Sequence, residues 1–236
     1  MKSDVKDTYG NFHIERNPEH VYPTEWVIRT FLGKYPKMEM DKSRYPGAKI
    51  LDIGYGDGRN WPLLRNIGFD VHGVEITDEV VKLGEERAEK LGMKATLKRG
   101  SNAAIPFPDE TFDYILACHS CYYIDEGTRF ADNMNEYFRV LKPGGMLIAS
   151  LPENTNDIFD QAVVLDDEGH VEIRNDPWGL RNGYVFKWFT SEEDVVESFS
   201  PWFQDFSIGG CRNDYFGVQI DMFLLVCGRR DGKQGG

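Results

Sequence analysis

Residues Lys49–Asn60 read KILDIGYGDGRN, a short apolar strand that runs straight into three glycines at alternate positions, Gly54, Gly56 and Gly58. A glycine-rich turn between a strand and a helix lets backbone approach a ligand closely and aims amide N–H groups at it. Outward from this stretch, apolar runs alternate with amphipathic ones. Strands are predicted at Ala48–Ile53, Asp70–Glu75, Ala95–Lys98, Phe112–Cys118 and Met146–Ser150. Between them, TDEVVKLGEERAEKLG opens on Thr77 as N-cap, carries early acids that suit the helix dipole, and stops at Gly92. A second helix is predicted from about Gly127 to Leu141, ending at KPGG, where the chain turns into the next strand. Such alternation specifies an α/β fold with a largely parallel sheet.

The alternation breaks after Pro152 into the polar stretch ENTNDIFDQAVVLDDEGHVEIRNDPWGLRNG, whose short β-like pieces read as a lid-like insertion. Order returns at TSEEDVVESF, where Thr190 and Glu193 fit a capping box, followed by DFSIGG and QIDMFLLVCG as an antiparallel pair at the sheet edge. The chain thus divides into an N-terminal cap segment (1–47), a ligand-binding core (48–152), the insertion (153–186), a C-terminal helix and strand pair (187–228), and a tail (229–236) expected to be disordered.

Composition narrows the function classes. The 236 residues suffice for one well-buried domain, and a hydrophobic share of 41% argues for a packed globule. A formal net charge of −12 works against binding nucleic acid, which needs a surplus of Lys and Arg. The N-terminal MKSDVKDTYGNFH has no apolar signal segment and the longest greasy run, DMFLLVCG, is far below spanning length, so no membrane association and a cytoplasmic location are expected. Four cysteines are too few and too scattered for a disulfide scaffold. CHSC at Cys118–Cys121 has the spacing of a metal or redox pair, but no second pair completes a four-ligand zinc site. Buried strand cysteines and no metal are the expectation.

A dinucleotide fingerprint would carry its third small residue where this chain has Arg59, so a nicotinamide dehydrogenase is disfavoured. The sequence instead resembles the class I S-adenosylmethionine-dependent methyltransferases, in their small-molecule branch. The segments that carry the resemblance are LDIGYGDG, GVEIT, IPFPDETFDYILACHSCYYI and RVLKPGGMLIASLP, in order from about Ile50 to Pro152. The resemblance implies a Rossmann-like doubly wound sheet, mostly parallel with an antiparallel C-terminal strand, and S-adenosyl-L-methionine as cofactor. It also implies roles. Gly54, Gly56 and Gly58 let the loop pass beneath the methionine part, with Asp52 and Asn60 beside it; Glu75, followed by Ile76, accepts bonds from the ribose hydroxyls. Where family members often carry an acid for adenine this chain has RGSNAA, leaving Ser101 and Asn102 as neutral partners, with Ala103 and Cys118 as further expected cofactor contacts.

The sulfonium methyl is already activated, so alignment and exclusion of water are the main demands. His119 is the first candidate base, since it follows the strand whose end faces the cofactor in this fold; His170 is a weaker candidate, expected at the surface. A small-molecule methyl acceptor is expected to contact Tyr9, Tyr22, Arg29, Tyr123 and Arg181, drawn from the N-terminal segment, from around Tyr122 and from the insertion. The wording YPTEWVIRTF faintly resembles methyltransferases of bacterial surface-polysaccharide pathways, which points to a sugar or sugar-linked anionic acceptor. Competing readings are an aminopropyltransferase, whose acidic polyamine-binding motif is not evident, and a noncatalytic regulatory or scaffold protein of the same fold. Neither the oligomeric state nor the acceptor atom follows from the sequence.

Overall fold

The computed structural model describes residues 21–38 and 40–231. Its strands β1 (Lys49–Ile53), β2 (Asp70–Glu75), β3 (Thr96–Arg99), β4 (Phe112–Ala117), β6 (Leu141–Pro152), β10 (Phe203–Asp214) and β11 (Gln219–Arg229) form one seven-stranded sheet in the order β10-β11-β6-β4-β1-β2-β3. All neighbours from β6 to β3 pair in parallel, and β11 enters antiparallel to both β6 and β10. The doubly wound α/β fold expected from the sequence is therefore present, with β11 as its antiparallel strand.

Alternation along the strands puts apolar layers on both faces. On one face Ile50, Tyr114, Leu116, Ile148 and Val226 pack with helices α1 (Glu25–Leu32), α2 (Trp61–Asn66) and α3 (Asp78–Lys90). On the other, Leu51, Ile115, Ala117, Leu147 and Leu225 pack with α4 (Phe130–Val140), α5 (Glu192–Phe199) and the insertion. Helix α3 is capped by Thr77, whose side chain accepts from Val80 N, as its sequence predicts. Helix α4 starts three residues later than expected, at Phe130, with Asp132 accepting from Arg129 N.

Three expectations need correction. KPGG does not separate α4 from a later strand; β6 begins at Leu141 and takes up the extra residues as a bulge between its pairings to Phe112 and Tyr114. The capping box of α5 sits one residue on: Ser191 caps by accepting from Asp194 N, and Asp194 accepts from Thr190 N. Cys118 and Cys121 lie in the turn after β4, not in the strand.

The insertion builds a second, antiparallel sheet in the order β5-β9-β8-β7 from β7 (Val163–Val164), β8 (His170–Glu172) and β9 (Val185–Lys187). Its fourth strand, β5 (Tyr123–Ile124), comes from the core segment directly after the turn that follows β4. Strand β11 runs on to Arg229, so the expected tail is ordered at its start, and residues 232–236 lie outside those described. Among the described residues no helix is long and apolar enough to cross a membrane.

Candidate active site

From β1 the chain winds toward β2 and β3, and from β4 toward β6; at such a reversal the loops leaving two adjacent strands part and open a crevice. The loop after β1 carries the glycines and the loop after β4 carries His119. Between them a cleft of about 540 Å³, its open mouth included, is lined by Gly54, Glu75, Ile76, Ser101, Asn102, His119, Ser120, Tyr123, Asp125 and Tyr184, among others.

The glycine turn is fixed by sterics. Gly54 has φ +68°, and a Cβ there would lie 2.6 Å from Ser120 Cβ, so the two loops meet only because residue 54 lacks a side chain. Gly58 has φ +66°, with the Trp61 ring 2.7 Å from where a Cβ would be. Ser120 Oγ donates to Ile53 O at 2.6 Å, stitching the β4 loop to the end of β1.

Two carboxylates sit beneath this turn. Glu75 is 1% exposed; Oε1 accepts from Gly56 N at 2.7 Å and Oε2 from Ile76 N at 3.1 Å. Burial raises its pKa to about 7 against the opposing pull of those two N–H groups. Asp52 is equally buried, and neither of its oxygens has a hydrogen-bond partner among the described residues. The Trp61 indole favours its charged form without reaching hydrogen-bond geometry, whereas burial and then the Glu75 charge drive its pKa up to about 8. A buried carboxylate without a partner is costly unless a cation fills the space beside it.

His119 has a left-handed backbone, φ +59°. Its N–H donates to Ser150 Oγ at 2.9 Å, and the same oxygen lies 3.1 Å from Nδ1. The Trp26 ring stands edge-on to the imidazole at 6.3 Å between centroids. Protein crowding, then the charges of Arg181 and Arg59, push the His119 pKa below the ordinary histidine range. Because the residue is open to solvent through the cleft mouth, the fall is smaller than full burial would give.

The structure does not bring every expected residue to the cleft. Asn102 lines it, but its side chain is committed: Nδ2 donates to Ser120 O (2.8 Å) and Tyr123 O (3.2 Å), and Oδ1 accepts from Tyr137 Oη (2.7 Å). It straps the β4 loop to α4, which leaves Ser101 and the local backbone as the polar groups on that wall of the cleft. Asn60 Oδ1 accepts from Thr24 N at 3.0 Å, tying the N-terminal segment to the glycine loop, and Cys118 Sγ donates to Thr24 Oγ1 at 3.6 Å, tying the same segment to the turn after β4; neither lines the cleft. Asp52, Gly56, Gly58 and Ala103 are not among the lining residues; Asp52 lies buried behind the wall and Gly56 is held by Glu75.

On the acceptor side, Tyr123 lines the cleft and its Oη accepts from Arg181 Nε at 3.2 Å, while Arg181 pairs with the buried Asp176. Arg29 is instead ion-paired with Glu25 and lines a separate groove against Ser207–Gly210 and Leu224–Val226; Tyr22 is 78% exposed and away from the cleft. Tyr9 lies outside the described residues. His170 is no surface residue: it is 4% exposed, donates from Nδ1 to Asp166 at 2.6 Å and accepts at Nε2 from Phe130 N at 3.2 Å. It caps α4, and with both nitrogens in use the cluster Asp166, Glu168 and His170 has no free imidazole for a metal. Sequence reasoning missed Ser150, Ser120 and Tyr184; the one available signal was a serine inside the apolar run LIASLP.

Comparison with known proteins follows the same geometry. Residues 51–149 match a family model described as a methyltransferase domain. Squalene methyltransferase 1 of Botryococcus braunii is 32% identical over 133 residues, covering 55% of this chain and 33% of that protein. Erythromycin 3''-O-methyltransferase of Saccharopolyspora erythraea is 36% identical over 106 residues, 43% and 33% of the two chains. A ubiquinone/menaquinone biosynthesis C-methyltransferase of a Ruegeria species is 35% identical over 172 residues, 62% and 66%. The chain thus spans about a third of the length of the first two relatives. An S-adenosylmethionine-dependent methyltransferase structure from Methanosarcina mazei superposes with a TM-score of 0.62 at 23% identity, covering 83% of this chain and 97% of that one. At that identity the likeness is one of fold.

Proposed function

We propose that this chain, which through residues 51–149 belongs to the class I S-adenosylmethionine-dependent methyltransferases, transfers a methyl group to a small organic acceptor at the cleft. The observation that carries the reading is the pair of buried carboxylates, Asp52 without a partner and Glu75 on the glycine loop. Such a site calls for a cation with hydroxyls beside it, and that is the chemistry of this cofactor. When bound, S-adenosylmethionine supplies a methyl group on a positively charged sulfur.

The residues present fit that group. Asp52 would hold the ammonium, giving its carboxylate the partner it lacks. Each Glu75 oxygen accepts one backbone N–H and keeps a second lone pair for the ribose hydroxyls. Ser101 and the adjoining backbone would take the purine edge. Holding acceptor and methyl group in line is worth on the order of 7–11 kcal/mol, so alignment alone supplies much of the rate.

The finer reading is a hydroxylated or anionic acceptor, a sugar or sugar-linked metabolite among them. The Arg181 guanidinium beside Tyr123 and Tyr184 supports it, as does similarity to a protein named erythromycin 3''-O-methyltransferase. Calorimetry with S-adenosylmethionine, S-adenosylhomocysteine and NADH tests the assignment. The first two are expected to bind and NADH is not. Glu75→Ala is expected to weaken both by at least tenfold, since hydrogen bonds to a charged acceptor are worth about 1.5–3 kcal/mol each. Unchanged affinity in a folded Glu75→Ala protein, or NADH binding in place of the sulfonium, would falsify the reading.

A further inference from the structure

We infer that His119 presents an N–H donor to the cleft rather than a base, and that this narrows the acceptor class proposed above to its anionic members, whose oxygen is already ionised on binding, of the phenolate, enolate or carboxylate class. The inference rests on the methyl-transfer reading above. Its starting point is Ser150, fully buried in β6 and opposite Leu224 of β11. Ser150 Oγ accepts the backbone N–H of His119, and its other side-chain partner among the described residues is His119 Nδ1. The hydroxyl has one proton to place. Donated to Nδ1, it satisfies both groups; with a proton on Nδ1 instead, the Ser150 O–H is left buried and unmade. That cost biases the two neutral tautomers at least tenfold toward Nε2–H.

The same two contacts fix the ring's direction. Nδ1 is turned to Ser150, so the Nε2 edge is the one that faces the cleft His119 lines. Protein crowding first, then the positive charges of Arg181 and Arg59, hold the ring's pKa below the ordinary histidine range and so keep it neutral at ordinary pH. Glu75 and Asp125 are the carboxylates among the described residues that line the same cleft. A neutral N–H donor in the field of the Arg181 and Arg59 charges binds an oxyanion and takes no proton from an alcohol. The transfer then balances without a base. A lone pair of the anionic oxygen forms the O–CH3 bond, the C–S bond breaks with its electrons going to sulfur, and the products are a neutral thioether and a methylated oxygen.

His119 is on this account a positioning donor, and its tautomer can be read in the ligand-free protein. Long-range proton–nitrogen correlation of the ¹⁵N-labelled chain, with the His119 signals assigned by their loss in His119→Gln, is expected to show Nε2–H as the dominant form from about pH 6 to about pH 8. Ser150→Ala is expected to reduce that dominance. A dominant Nδ1–H form in the wild-type chain overturns the inference. Binding of 4-nitrophenolate in the presence of S-adenosylhomocysteine gives the second reading. His119→Gln, whose amide replaces the donor, is expected to bind within about threefold of wild type, and His119→Leu at least tenfold more weakly. Equal binding by the folded Leu variant refutes the donor role. The ring spectrum is recorded without cofactor, so failure of the methyl-transfer reading shows in the calorimetry and leaves the tautomer result standing.

Discussion

Replacing Asp52 with Asn is expected to make the ligand-free protein more stable at high pH while weakening its hold on S-adenosylmethionine. Burial, then the Glu75 charge, raise the Asp52 pKa to about 8, from about 3.9 in an unfolded chain. The folded protein therefore binds this proton more tightly than the unfolded one. Its contribution to stability is complete below about pH 4 and is lost as the pH rises through about 8. A rise of about four pH units corresponds to on the order of 5 kcal/mol at full ionisation. Asp52 and Glu75 share one repulsion, and water enters as charge appears, so neutralising Asp52 alone is expected to recover about 2 kcal/mol. For a chain of this size that is a rise in Tm of about 4–8 °C. Scanning calorimetry of wild type and Asp52→Asn, both without ligand, is expected to show this gain at about pH 8.5 and none at about pH 4. Affinity for S-adenosylmethionine is expected to fall at least tenfold, as a charged acceptor is lost. A variant equally stabilised at both pH values, or destabilised at the higher one, would show that Asp52 is not a strained anion.

Two further outcomes follow from the strap and the insertion. Asn102→Ala removes the bonds to Ser120 O, Tyr123 O and Tyr137 Oη and is expected to cost about 2–3 kcal/mol in urea unfolding, so a loss below about 0.5 kcal/mol would make the strap incidental. Arg181→Lys keeps the charge but loses the fork that holds Asp176 and Tyr123 Oη. The KM for the methyl acceptor is expected to rise about tenfold with kcat within about twofold and cofactor affinity unchanged, whereas weakened cofactor binding would place Arg181 on the wrong side of the cleft.

The sheet, the glycine turn and the buried Glu75 beside it were legible because their signals are local. KILDIGYGDGRN fixes a strand and a tight turn within twelve residues, and Glu75 ends the next predicted strand. What stayed hidden depends on partners far along the chain. Asn102 reads as a free amide until Tyr137, 35 residues on, is seen to claim its oxygen. His170 reads as a surface residue because nothing nearby announces that it meets Phe130 N across 40 residues. Strand β5 was invisible for a related reason: two residues, Tyr123–Ile124, carry no periodicity, and their pairing with Val185–Phe186 exists only in three dimensions. KPGG misled because a bulge and a turn ask for the same residues.

The antiparallel entry of β11 has a consequence for how the chain is made. Strand β6 lies at the heart of the sheet, yet one of its two neighbours pairs Gly228 with Met146 and Met222 with Pro152. At a synthesis rate of about 5–20 residues per second, β6 emerges on the order of ten seconds before that neighbour exists. Throughout that interval an apolar strand, Leu147 to Leu151, shows an unpaired edge to the crowded surroundings of the ribosome. A chaperone or a temporary partner strand would cover that edge over the time in which β10 and β11 are translated. A ribosome stall before residue 219 would leave β6 with its apolar edge exposed.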